Sequence, residues 1–364
     1  MRRQKLFIIF SIIVITLTGC EPRIKIESQR TLLFFFPWST NLTHYFENNV
    51  RCFEKSLSQK DLQENSVFVF ISNTDSTACF YKINKNNKGI KHDTIAKFEN
   101  YRYEYTSTKG LSEIFSRAKN GNNPFSLIIG CHGDAWIPAK DMKRSFGGSE
   151  IESRIDISTL RQALENNEIV AEYILFDDCY MSSVEVAYEL RHVCKYLITS
   201  PTEIMAAGMP YENIAKDLIN TPNYSAICND FYTYYINNTS TPYGAIAITK
   251  CDELDSLASI VSKIEQIKMT EDVQFYDGYN PHIFYDLGDY IDKVCKDEDL
   301  NRLFTEQLNR CVPYKAHTPI VYTYGFGTIK IKTYSGISTS APSENKKCDS
   351  YGETAWAKDT NWEK

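Results

Sequence analysis

The sequence predicts an α/β fold: a central, mostly parallel sheet flanked by helices, with C-terminal additions. Three observations carry the prediction. Short, continuous apolar runs recur through the first half of the chain, each closed by turn-forming residues, as expected of strands buried on both faces. Segments with helical spacing lie between them, and that alternation favours a parallel, doubly wound sheet. The chain has 364 residues, 43% hydrophobic and 13% aromatic, enough for one large core with additions.

The runs follow one another in order. Thr31–Phe36 (TLLFFF) is the first and is closed by Pro37, Trp38 and Ser39. Residues 66–71 (SVFVFI) repeat the pattern and stop at Ser72-Asn73, and residues 78–83 alternate as an edge or hairpin strand would. Residues 111–119 have helical spacing. After Pro124, residues 126–131 (SLIIGC) form a third buried strand. Residues 134–155 are loop-like, with Pro138, a basic cluster of Lys140, Lys143 and Arg144, then Phe146-Gly147-Gly148-Ser149. Asp156-Ile157-Ser158 caps a helix reaching to about Asn166. Residues 173–176 (YILF) lead into Asp177-Asp178-Cys179, a helix carrying Val184, Val186, Ala187 and Leu190 follows, and residues 195–199 (KYLIT) are again a strand. Further on, residues 210–220 and 230–237 suggest helices, 244–249 a strand, 254–267 an amphipathic helix, and 319–324 and 336–340 late strands.

The N-terminus reads as an export signal. Arg2, Arg3 and Lys5 precede an apolar stretch over residues 6–17, too short to span a bilayer comfortably. Leu17-Thr18-Gly19-Cys20 resembles a bacterial lipobox, which implies removal of residues 1–19 and lipidation of Cys20. Glu21 is compatible with sorting to the outer membrane, on its periplasmic or surface face. The remaining chain would carry 37 basic and 46 acidic residues, a net charge of −9. Such a body does not grip nucleic acid or anionic lipid electrostatically, so the lipid is the expected membrane contact. The ten cysteines other than Cys20 are scattered through apolar segments without a CxxC, as buried free thiols are, and no zinc-type spacing occurs.

Two strand ends carry the chemistry. The third strand ends in Cys131-His132-Gly133-Asp134, and a later one in Phe176-Asp177-Asp178-Cys179. A parallel sheet gathers its carboxyl ends on one edge, where ligands bind. A lone histidine after a strand is ordinarily structural, and a buried cysteine is ordinarily a small core hydrophobe. Their occurrence at matching strand ends points instead to a thiol nucleophile, Cys179, activated by a base, His132. The spacing of 47 residues is close to the roughly 50 found between His and Cys in caspases. The N–H groups of Gly133 and Cys179 are candidates for an oxyanion hole, and a helix starting just after Cys179 would favour thiolate.

These residues carry a family resemblance. Residues 127–211 resemble the clostripain family of cysteine peptidases, through His132-Gly133 with Trp136, Ser145-Phe146-Gly147, Asp156-Ile157 and Asp177-x-Cys179. Fainter similarity runs through 32–38, 286–287, 336–340 and 354–362. The resemblance implies the three-layer fold shared with caspases, gingipains and legumains, a His132/Cys179 dyad, and cleavage after Arg or Lys. The expected organisation is a lipoprotein signal peptide over 1–19, a tether over 20–29, a caspase-like catalytic core over 30–225, and a C-terminal region over 226–364 packed on the core and a candidate extension of it.

Asp177 matches the family's acidic position two residues before the nucleophile. Strand geometry puts it on the same face as Cys179, where its carboxylate suits the base of an S1 pocket; a helix cap or surface ion pair is the competing role. Asp178 should point away. Ser200-Pro201-Thr202-Glu203 is expected to wall the pocket, with Glu203 as a second acid or a helix cap. The resemblance also implies self-cleavage in the 140–148 loop, after Arg144 or Lys143. No cofactor is expected to be required; calcium, on which some relatives depend, finds no calcium-loop pattern here. The expected partners are peptides or proteins with Arg or Lys at the cleavage site, met by a monomer. Two other functions fit the same residues: an inactive caspase-like surface lipoprotein that binds a protein or glycan, and a cysteine hydrolase or transpeptidase with another acyl substrate.

Overall fold

The structure is a computed structural model and describes residues 29–37, 42–74, 76–99, 104–138, 146–148, 153–268 and 271–362. The signal and lipidation site at 1–20, and Lys140, Lys143 and Arg144, lie outside these residues. Along the chain, β1 (Thr31–Phe36) precedes α1 (Thr43–Ser56), α2 (Gln59–Glu64), β2 (Ser66–Thr74), β3 (Thr77–Asn86) and β4 (Gly89–Glu99). Then come α3 (Thr108–Ala118), β5 (Phe125–Ile129), β6 (His132–Gly133), β7 (Phe146–Gly147), β8 (Arg154–Ile155), α4 (Ile157–Asn166) and β9 (Ala171–Phe176). They are followed by α5 (Val184–Leu190), β10 (Cys194–Thr199), α6 (Tyr211–Ile219), α7 (Tyr224–Ile236), β11 (Ala245–Lys250) and α8 (Leu254–Val261). The last part holds β12 (Tyr285–Asp286), α9 (Leu287–Val294), α10 (Glu298–Cys311), β13 (Tyr314–His317), β14 (Ile320–Thr323), β15 (Gly327–Lys330), β16 (Ser338–Thr339) and α11 (Ala355–Thr360).

Nine strands form the central sheet in the order β13-β11-β10-β9-β5-β1-β2-β3-β4. The middle strands β10, β9, β5, β1 and β2 are parallel, and antiparallel strands flank them on both sides. The apolar runs are continuous because both sheet faces are covered. In β1, Leu32, Phe34 and Phe36 join the cluster under α1, α6 and α7, while Leu33 and Phe35 join the one under α3, α4 and the C-terminal helices. Period-two alternation thus feeds two cores from one strand. Each such side chain contributes about 1.5–3 kcal/mol on full burial. The expected fold class is the observed one: helices, sheet, helices.

Three expectations need correction, and the two late strands are found as expected. Residues 78–83 do form a hairpin strand, but not an edge, because β4 covers β3. The helix after the nucleophile begins at Val184, not beside Cys179. Tyr180 takes a left-handed conformation, φ 63°, and residues 180 and 182 donate N–H bonds to the carbonyls of Thr202 and Ser200, so this stretch stays extended. The helix at 254 stops at Val261, and the carbonyl of Ile264 instead accepts from the Trp362 indole at 2.9 Å. The late strands stand apart from the large sheet: β14 pairs with β15, and β16 with β12.

Candidate active site

The order of the sheet brings the two predicted strand ends side by side. β5 and β9 are parallel neighbours, in register through Ile129 and Phe176. The pairing continues as Asp177 N–H donates to the Ile129 carbonyl at 2.8 Å. One residue further, the Cys131 N–H donates to Asp178 Oδ1 at 2.6 Å, and the Cys131 thiol donates to Oδ2 at 3.3 Å. The residue before His132 is therefore tied to the residue before Cys179. Asp178 serves as this tie, and it also borders the cavity that Asp177 lines. Burial pushes its carboxyl well above the ordinary range, against the lowering effect of the Cys131 bonds.

His132 and Cys179, both half-buried, line one cavity of about 560 Å³ together with Gly133 and Asp177. Gly133 packs directly on the nucleophile's backbone. A Cβ there would come within 2.5 Å of the Cys179 carbonyl oxygen and 2.9 Å of Asp178 Cβ. His132 gets its own support from a small sheet, in which it pairs with Gly147, and Gly133 pairs with Phe146. β8 pairs on the far side of β7. The Phe146-Gly147 motif thus acts by holding the histidine strand.

The surroundings of Cys179 are acidic. Burial pushes its thiol up, the charge of Glu203 adds to this, and Asp178 and Asp134 act in the same direction. With α5 beginning five residues later, no helix N-terminus offsets these effects. A thiol so placed stays protonated until a base takes the proton.

Asp177 is 6% exposed and lines the cavity. Its Oδ2 accepts from the Tyr211 hydroxyl at 2.9 Å, Met209 N–H at 3.3 Å and Asn49 Nδ2 at 3.5 Å. Its Oδ1 is buried without a hydrogen-bond partner. Burial raises the carboxyl to about 6, with the Tyr211 and Met209 bonds opposing that rise. Gly208, at φ 70°, lies against it: a Cβ there would meet Asp177 Oδ2 at 2.6 Å.

Glu203 is half-buried and lines the same cavity. Its Oε1 accepts from Tyr180 Oη at 2.8 Å, Thr323 Oγ1 at 2.6 Å and Tyr324 N–H at 2.8 Å. It caps no helix. Ser200 stands apart from the cavity: it is fully buried, and its hydroxyl donates to the Thr202 carbonyl at 3.0 Å. The strand end of β10 turns inward there because residues 200 and 202 pair with the loop after Cys179.

Several cavity residues escaped the sequence reading. Asn49 sits on α1, whose apolar positions Phe46, Val50 and Phe53 have plain helical spacing. Gly208 and Tyr211 lie in a Gly-Met-Pro-Tyr turn that punctuates the chain before α6. Residues 336–340 also contribute from behind: Ser182 Oγ donates to the Gly336 carbonyl at 2.7 Å, and Ser338 N–H to the Ser182 carbonyl at 2.8 Å. Among the described residues, no group of three or more His, Cys, Asp or Glu side chains is arranged to hold a metal ion, and no helix is long and apolar enough to cross a membrane.

Comparison with known proteins agrees with this architecture. Residues 36–364 match the model of the clostripain family. A secreted C11 cysteine protease from Bacteroides thetaiotaomicron is 38% identical, over 92% of this chain and 99% of its own, with a TM-score of 0.87. A clostripain from the same organism, in complex with the peptide inhibitor BTN-VLTK-AOMK, is 47% identical over 59% of this chain and 98% of its own, with a TM-score of 0.58. An inactive zymogen C11 protease from Parabacteroides distasonis is 26% identical over 92% of this chain and 98% of its own, with a TM-score of 0.80. No curated protein sequence matches the chain.

Proposed function

The chain belongs to the clostripain family of cysteine peptidases, and on that premise we propose that it cleaves polypeptides after Arg or Lys with Cys179 as nucleophile and His132 as base. The observation that carries the dyad is the bond between Cys131 N–H and Asp178, which ties the two catalytic strand ends together one residue before each group. His132 removes the thiol proton, and the sulfur attacks the carbonyl carbon. The N–H groups of Gly133 and Cys179 steady the negative charge on the carbonyl oxygen. The imidazolium then protonates the leaving amine, the C–N bond breaks, and a thioester to Cys179 remains. Water, deprotonated by His132, hydrolyses that thioester and restores the thiol. No cofactor has a part in these steps.

The basic preference rests on Asp177. Asp177 lines the cavity and its Oδ1 has no hydrogen-bond partner, so a guanidinium or ammonium that reached it would gain a charge-assisted bond. The related clostripain was captured with an inhibitor whose peptide ends in Lys, which supports the same preference here. Self-cleavage after Lys143 or Arg144 belongs to the same reading. A cut there falls just before β7, the strand that pairs with His132, so it would bear on the catalytic histidine. That a relative exists as an inactive zymogen supports such control. Lipidation at Cys20, placement in the outer membrane and a monomeric state complete the proposal.

A peptide-library cleavage profile of wild type beside Cys179→Ala tests it. The expected result is cleavage after Arg and Lys by wild type alone. Cleavage that survives in Cys179→Ala, or that ignores basic residues, would overturn it.

A further inference from the structure

β14 and β15 form a two-stranded hairpin outside the large sheet, and its tip reaches the catalytic cavity. At that tip, Tyr324 is 84% exposed, the most exposed large hydrophobic side chain among the described residues. Its ring has no aromatic partner and its hydroxyl no hydrogen bond among them, yet the residue lines the same cavity as Cys179. Phe326, two residues on, instead leans back on Phe275 and His282, with ring centroids 6.0 and 5.9 Å apart. One aromatic residue of the tip anchors the hairpin, and the other is presented outward.

The tip is also fixed. A single oxygen of Glu203 receives Thr323 Oγ1 and Tyr324 N–H from the hairpin, and Tyr180 Oη from the residue after the nucleophile. Tyr180 Oη and Thr323 Oγ1 lie 2.7 Å apart, closing the network. A carboxylate oxygen that gathers three donors holds its neighbours rather than waiting for a ligand. The turn itself uses Gly325 and Gly327, at φ 80° and 105°, where an added Cβ would meet no atom within 4 Å. Tyrosine held in this way offers a large contact area with little rotamer freedom to lose.

We infer that the β14–β15 tip is a substrate-binding element, in which Tyr324 receives an apolar side chain flanking the basic residue of the polypeptide and Glu203 is the positioning residue that holds the tip. The inference rests on the proposed cleavage after Arg or Lys. With the basic side chain at Asp177 and the scissile carbonyl at Cys179, the flanking residues, about 3.8 Å apart along the chain, meet the other residues that line the cavity, and Tyr324 is the most exposed aromatic among these.

Internally quenched peptides with a fixed Arg, and either Leu or Gly on each side of it, test the idea. Wild type should favour Leu over Gly on one side by about tenfold in kcat/KM. Tyr324→Ala and Glu203→Ala should bring that ratio near one, while Tyr324→Phe keeps the ring and Glu203→Gln keeps the accepting oxygen, so both should retain the preference. An unchanged Leu/Gly ratio in Tyr324→Ala, or no preference on either side in wild type, overturns the inference while leaving Arg cleavage intact. A wild type that cleaves none of these peptides overturns the proposed function and this inference together.

Discussion

Asp177 and Glu203 line the same cavity and each receives its donors on one oxygen, yet they differ in burial and in what those donors hold together. Asp177 is deeply buried, receives its donors on one oxygen, and keeps the other without a partner. Glu203 is half-buried and gathers a hydroxyl from the nucleophile loop with two donors from the hairpin. The first arrangement destabilises a charge that only a cation would satisfy. The second gathers three donors on a half-buried acid and joins the hairpin to the loop after Cys179. On the proposed reading, the cation site is the acid whose unpartnered oxygen is buried, and proximity to Cys179 alone does not pick it out.

The largest expected effect comes from Asp177→Asn. Breaking a buried charge pair is typically worth 2–5 kcal/mol, so kcat/KM for Arg and Lys peptides should fall by at least about a hundredfold, with much less change for a citrulline analogue. The same substitution should stabilise the fold at high pH. The raised carboxyl of Asp177 contributes stability that is fully present below about pH 4 and lost as pH rises through about 6. Thermal melts of the variant should therefore gain about 1–3 kcal/mol over wild type at pH 8 and nothing at pH 4. A loss of stability at pH 8 would mean that the buried charge is already compensated.

The second effect is on pH dependence. Asp177 must be ionised to meet a cation, so kcat/KM for Arg peptides should fall about tenfold per pH unit below about 6. Citrulline peptides should lack the limb due to Asp177. Identical profiles for the two would separate the limb from this residue. Gly208→Ala comes next: its Cβ would press on Asp177 Oδ2 at a backbone angle that alanine resists. Arg and Lys cleavage should drop about tenfold, and an unaffected rate would show that the Asp177 wall is looser than drawn. The smallest effect is expected for Glu203→Gln, less than about threefold in Arg-over-citrulline selectivity, because the hairpin contacts need only an accepting oxygen. A hundredfold loss there would reverse the comparison and move the cation site to Glu203.

Much of this was legible in the chain because the central strands are apolar on both faces. β1, β2, β5, β9 and β10 all announce themselves as short runs with turn signals, and the carboxyl ends of β5 and β9 lead into the candidate site. β4 was not legible: its residues are mostly exposed or half-buried, so it has no apolar run. The direction of β11 was hidden because periodicity does not encode pairing partners. α1 was missed although Phe46, Val50 and Phe53 supply its periodicity, and with it went Asn49. That His132, Gly133, Cys179 and Asp177 line one cavity was readable from motif and strand phase. The removal of Ser200 from the cavity was not, since it follows from pairing between residues 180–182 and 200–202. Nor was the Glu203 network, whose partners at 323 and 324 lie some 120 residues further along the chain.

The most direct test of the dyad is covalent labelling. The protein has 11 cysteines, and only one should be reactive in the manner described here. Peptide mapping after brief exposure to an Arg-directed acylating probe near neutral pH should find the adduct on Cys179 in wild type, with labelling at least about a hundredfold slower in His132→Ala. Adduct on another cysteine, or equal labelling rates in the two proteins, would contradict the pairing of this imidazole with this thiol.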